Sequence, residues 1–161
     1  SKTKAYSVGY NGIFLNLQGR EPEGIVTKQE KTALLQSIQQ DLLDFINPFT
    51  STPLLKRVVT REELEAASSD DKSPDLFLGY YKGARSSWDT AVGAVPQEEV
   101  VKRTSKWSGD HLFDPTEVPG IFLSNRKIQV DAPNIVDIAP SVLGLLHIPL
   151  STKMDGKNLF R

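Results

Sequence analysis

Three short apolar runs, Ile13-Phe14-Leu15, Leu76-Phe77-Leu78 and Ile121-Phe122-Leu123, set the limits on what this chain can fold into. Each is unbroken rather than alternating, which marks a strand covered on both faces. Strands of that kind need helices to cover them. The sequence supplies one after the first run. Thr27-Lys28-Gln29-Glu30 is a capping box, in which the threonine hydroxyl takes the Glu30 amide and the glutamate reaches back. Leu34, Ile38, Leu42 and Ile46 then repeat every four residues, with Leu35 and Phe45 widening the apolar face. Asn47-Pro48 predicts the stop, because proline disfavours helical geometry at the residue before it.

Further elements follow the same alternation. Leu54-Leu55 and Val58-Val59, split by Lys56-Arg57, predict a more exposed strand. Thr60-Arg61-Glu62-Glu63 is a second capping box and predicts a short helix through Ala67. Residues 68–73 read as a polar surface loop. Near the end, Asn134 or Asp137 caps a terminal helix with Pro140 in its first turn, and His147-Ile148-Pro149 ends it. His147 reads as a structural last-turn histidine, and Met154 to Leu159 as a closing turn. Ser1 to Ser7 is polar and carries no start signal. Strands alternating with helices, without internal repeats, predict an α/β fold around a mainly parallel sheet, one domain over residues 1–161.

Composition bounds the chemistry. A net charge of −1 gives no electrostatic footprint for a nucleic-acid polymer or an acidic membrane surface, so neither is an expected partner. Zero cysteines exclude disulfides, thiolate metal sites and cysteine nucleophiles, and leave the compartment open between cytoplasm and periplasm. With two histidines, any metal site here needs oxygen ligands or ligands from outside the chain. No Walker loop, Rossmann fingerprint, Gly-x-Ser-x-Gly elbow or adjacent carboxylate pair occurs, and no catalytic residue is assigned.

Three places remain as candidate sites. Trp107-Ser108-Gly109-Asp110-His111 presents a histidine from a small polar loop, which suits a metal ligand as well as a surface or capping residue. Asn16 and Arg20 follow the first apolar run, where open parallel sheets place ligands; Arg20 can equally pair with a nearby carboxylate and fix the turn. Arg85, in Gly83-Ala84-Arg85-Ser86-Ser87-Trp88, suits an oxyanion, or stacks on a Trp88 packed in the core.

An ordered set of motifs runs through nearly the whole chain. It comprises Asn16-Leu17-Gln18-Gly19-Arg20-Glu21-Pro22-Glu23-Gly24-Ile25-Val26, Pro74-Asp75-Leu76, Arg85-Ser86-Ser87-Trp88, Trp107-Ser108-Gly109-Asp110-His111, Val118-Pro119-Gly120, Asp137-Ile138-Ala139-Pro140-Ser141-Val142-Leu143 and Met154-Asp155-Gly156-Lys157. Together they resemble the C-terminal part of the alkaline phosphatase superfamily, on its type I phosphodiesterase/nucleotide pyrophosphatase-like branch of predicted phosphohydrolases and phosphomutases. The resemblance implies the C-terminal portion of a three-layer α/β sandwich. It implies a hydrolase of phosphate esters (phosphodiesters or nucleotide pyrophosphates) with two divalent metals, usually zinc and sometimes manganese. In such enzymes a metal-bound threonine or serine attacks phosphorus, and most ligands, including an Asp-His pair, lie in the N-terminal half.

The last family ligand is a histidine that His111 matches, and Asp110 then becomes an outer-shell partner of the imidazole. His147 stands where the family commonly has glycine before Ile-Pro. Nothing here matches the nucleophile or the Asp-His pair. The chain is therefore expected to be a fragment, inactive and without stably bound metal alone, whose partner is the N-terminal remainder of the same polypeptide. The other class in play is a non-catalytic interaction module that folds independently.

Overall fold

The computed structural model describes residues 2–64, 72–107, 109 and 111–160, which form two compact units, 1–119 and 120–161. In the first unit lie β1 (Ala5–Ser7), β2 (Gly12–Leu15), α1 (Lys28–Leu43), β3 (Leu55–Thr60) and β4 (Leu76–Tyr80). They make a mixed α/β fold on a four-stranded sheet of order β1-β2-β4-β3. Every neighbouring pair is antiparallel, which corrects the expectation of a mainly parallel sheet. The physical reason lies in β4. β2 and β3 both run opposite to it, so they run the same way as each other, as a crossover helix between them requires. β4 lies between them, which makes a split βαβ unit.

Alternation along the strands sorts the two sheet faces. Leu15, Leu55, Val58, Leu76, Leu78 and Tyr80 are buried in one core with Val26 and Leu35. Leu34, Ile38 and Leu42 of α1 pack against it. Burying Leu35 alone contributes roughly 1.5–3 kcal/mol. On the opposite face Phe14, Phe77 and Val59 are only half-buried. The Thr27–Glu30 capping box forms as expected. The helix stops at Leu43, earlier than the proline predicts, because Phe45 and Ile46 leave it to bond with Leu54 and Pro53 and so lead into β3. β1, in the stretch that shows no start signal, adds an edge strand by pairing with β2. The Thr60–Glu63 box also forms, on a turn over residues 61–64; the expected helix through Ala67 falls outside the described residues.

The second unit holds α2 (Ile138–Leu145), preceded by a 3₁₀ turn over Ile135–Asp137. Asn134 caps the 3₁₀ turn, and the Asp137 carboxylate returns to the Asn134 amide. Asp137 also accepts from the Lys157 amide at 2.9 Å, and these two amide bonds hold its carboxyl below its ordinary range. Ser141 Oγ donates to the Asp137 carbonyl and accepts from Leu159 N–H, which seats the fully buried Leu159. The helix ends on a Schellman motif: Ile148 N–H bonds the Leu143 carbonyl and His147 N–H the Gly144 carbonyl. His147 takes φ +56° there, the left-handed geometry that glycine accepts freely. Ile121–Leu123 is neither strand nor buried. Ile121 is 89% and Leu123 88% exposed, because no described strand pairs with this segment.

Candidate functional site

The sheet directions decide which candidate residues can meet. In a parallel sheet all strand C-termini share one edge; here β2 and β3 end where β4 begins. Asn16 and Arg20 follow β2 and so lie at the Leu76 end of β4. Arg85 follows β4 and so belongs to the Tyr80 end, with His111. The sheet length separates the two groups by roughly 16 Å at about 3.3 Å per residue.

At the first end Arg20 is engaged by the fold. Its Nη1 and Nη2 donate to the two oxygens of Asp75 at 3.1 and 2.7 Å, Nη2 also to the Leu15 carbonyl, and Nε to Glu21. Asp75 has no exposed surface and accepts from Leu15 N–H as well, and Arg61 lies 3.6 Å from its second oxygen. Burial pushes the Arg20 guanidinium down, but the bonds to Asp75 and Glu21 outweigh it and hold it above its ordinary value. Two stretches of the resemblance, 55 residues apart, thus meet in one ion network. Asn16 is buried beside it. Its Nδ2 donates to the Thr3 and Glu23 carbonyls, and the residue lines a shallow depression with Tyr6 and Glu21. Burial and the bond to Glu21 raise the Tyr6 hydroxyl above its ordinary value.

The second end is built around Tyr80. Phe113 bridges Tyr80 in parallel fashion, and Asp114 N–H donates to the Tyr80 carbonyl. The Asp114 side chain, 1% exposed, lies over Gly79, where a Cβ would stand 2.5 Å from its Oδ2. Arg57 Nε bonds that oxygen at 2.8 Å, and Thr116 bonds the other through its amide and hydroxyl. Burial pushes the Asp114 carboxyl up, yet the Thr116 and Arg57 bonds outweigh this and hold it below the usual carboxylate range. His111 therefore stands on an exposed loop whose end is pinned three residues later. Asp110 and Ser108 lie outside the described residues.

Arg85 is half-buried, and its guanidinium carbon lies 5.0 Å from the Trp88 ring centre. The stacking alternative is realised, but Trp88 is 58% exposed rather than in the core, held by a turn outside it. Arg103 sits over the same ring at 6.0 Å, and Trp107 is 81% exposed. Arg103 escaped sequence reasoning, as did the exposure of the two indoles, since Trp88 was expected in the core; the signal was the cationic run Lys102-Arg103-Thr104-Ser105-Lys106 between two tryptophans. Among the described residues no group of three or more histidine, aspartate and glutamate side chains could hold a metal. No protein family, characterised protein or solved structure matches the chain.

Proposed function

We propose that this chain is the C-terminal part of a metal-dependent phosphohydrolase of the alkaline phosphatase type, and that it supplies His111 as the last ligand to a two-metal centre. The observation that carries the reading is the presentation of His111. The imidazole is exposed, on a loop fixed to the end of β4 through Asp114. The ordered motifs support it, since Arg20 and Asp75 from two of them close one clamp. Zinc or manganese would polarise the phosphate ester and activate the nucleophile when bound. His111 would hold the metal through a ring nitrogen, and on the resemblance Asp110 would be its outer-shell partner.

The remainder of the polypeptide supplies the nucleophile and the other ligands. It also supplies apolar cover: Phe14, Phe77 and Val59 on the sheet face opposite α1, and Ile121 and Leu123 in the second unit, await burial. In that reading the sheet with α1 forms two layers of a three-layer sandwich, and 121–123 becomes a strand.

The test uses the complete polypeptide, stripped of metal and reloaded. His111→Ala is expected to lose one of two metals and at least a hundredfold in hydrolysis of a nitrophenyl phosphodiester, with the Tm of the metal-free protein unchanged. The present chain alone is expected to show no metal-dependent turnover, because each metal needs about four ligands. Full metal content and activity in His111→Ala, or turnover by the chain alone, refutes the assignment; a complete polypeptide that neither binds metal nor turns over the ester favours an independent interaction module.

A further inference from the structure

The depression walled by Thr3, Tyr6, Asn16, Glu21, Pro22 and Glu23, about 500 Å³ in volume, lies at the other end of the sheet from the His111 loop and has no role in the metal reading. We propose that it binds a primary ammonium group, which donates to the Asn16 side-chain oxygen and faces the Glu23 carboxylate. The proposal does not rest on the His111 assignment.

Three observations support it. First, Asn16 is a buried residue with an unused acceptor. It is 9% exposed and contributes to the wall of the depression. Its Nδ2 donates to the Thr3 carbonyl at 2.9 Å and, more loosely, to the Glu23 carbonyl at 3.5 Å. Carbonyls only accept, so these bonds fix which end of the amide is nitrogen and leave the oxygen over. Both carbonyls belong to residues of the same wall, which places the amide end there. Among the described residues nothing donates to that oxygen. A buried acceptor without a donor is destabilising, so the wall calls for a ligand that donates.

Second, the side-chain donors of Tyr6 and Asn16 are already engaged. The Tyr6 hydroxyl donates to Glu21 Oε1 at 2.9 Å, and the Asn16 amide hydrogens go to the two carbonyls. Pro22 has no backbone N–H to offer. What remains is an excess of acceptors, which suits the three N–H bonds of an ammonium group and not a phosphate or carboxylate. Third, the charge has the matching sign. Arg20 is shared between Glu21 and Asp75, and among the described residues Glu23 pairs with no cation.

The wall is also preformed. The Tyr6 ring stacks on Phe14, with centres 5.5 Å apart, and Glu21 is held by Arg20 Nε and the Leu17 amide. A ligand therefore need not order these side chains on arrival.

Nitrogen–proton NMR correlation spectra of the chain read the Asn16 side-chain NH2 pair directly. Butylammonium, tetramethylammonium and ionic-strength-matched sodium, all as chlorides, are titrated. Butylammonium is expected to shift the Asn16 pair saturably and sodium is not. Tetramethylammonium carries the same charge without an N–H, and should bind about tenfold more weakly or worse. Tighter binding of Nα-acetyl-lysine amide than of butylammonium marks a protein lysine as the source of the ammonium, and equal or weaker binding a free amine. Glu23→Gln is expected to weaken butylammonium by about threefold or more, the scale of an exposed charge pair, while Glu98→Gln removes an exposed charge elsewhere and leaves binding unchanged. Asn16→Ala should abolish binding, read at the Glu21 and Glu23 backbone amides with circular dichroism confirming fold; Glu23→Gln carries the test if that variant does not fold. A shift no different from that in sodium overturns the site, as does tetramethylammonium binding as tightly as butylammonium. Equal binding by Glu23→Gln or by folded Asn16→Ala, or equal weakening by Glu98→Gln, overturns it as well.

Discussion

Asp75→Asn isolates the charge at the centre of the Arg20 clamp. The amide keeps the shape and one acceptor for Leu15 N–H, but removes the negative charge from Arg20 and Arg61 and turns an NH2 group toward a guanidinium. Breaking a buried pair from one side costs about 3–5 kcal/mol, because a buried charge is left behind. Asp75 is fully buried and the two arginine side chains are 13% and 15% exposed, so a little water reaches them. The expected loss is therefore about 3 kcal/mol. With a urea slope of about 1–3 kcal/mol/M, the midpoint of the first unit falls by roughly 1–3 M. Urea melts of wild type, Asp75→Asn, Arg20→Met and the double variant read both the loss and the coupling. The double variant should be more stable than additivity predicts, since it removes both charges. The Asp75→Asn deficit should persist in 1 M salt, unlike any contribution of the exposed Lys31–Glu62 pair. A deficit below about 0.5 kcal/mol, or one erased by salt, refutes the view that this network holds the loop to the sheet.

Three further outcomes follow from local geometry. His147→Gly should stabilise the second unit by about 0.5–1 kcal/mol, because left-handed geometry strains a side chain by about 1–2 kcal/mol while glycine's looser unfolded state returns part of it; a protein equally or less stable in urea contradicts this. Gly24→Ala and Gly156→Ala should each cost about 2 kcal/mol or more, since a Cβ would stand 1.9 Å from the Leu17 oxygen and 2.0 Å from the Val136 oxygen, whereas Gly120→Ala, with nothing within 4 Å, should be neutral by thermal melting. The Asp114 carboxyl titrates below its unfolded value, so its contribution is complete above about pH 4 and is lost as pH falls through the lower folded value; Asp114→Asn should flatten the acid limb of stability against pH, and an unchanged limb disproves the pin.

What the sequence revealed was local, and what it concealed was non-local. The Thr27 box, the α1 face, and the strands at Ile13–Leu15 and Leu76–Leu78 depend on neighbours within one turn or one strand. The antiparallel insertion of β4 depends on which strand edges meet, and continuous apolar runs do not encode direction. That one topological fact dispersed the candidate site, because Asn16 and Arg85 would share an edge only in a parallel sheet. Ile121–Leu123 has the composition of a core strand, and composition cannot say whether a partner is present. Arg20 was legible as either ligand-binding or ion-pairing, and Asp75, 55 residues away, engages it as an ion pair.

The Asp75 clamp has a consequence for strand alignment. β2 and β4 share only two paired positions, Gly12 with Phe77 and Ile13 with Leu76, too few for the ladder to define register well. A two-residue slip would keep the same side chains on the same faces and cost the hydrophobic pattern little. It would also carry Asp75 away from Leu15 N–H and from Arg20, leaving a buried carboxylate with only the more distant Arg61. The ion network thus works as an alignment key: the shifted sheet is rejected by electrostatics where packing alone would tolerate it.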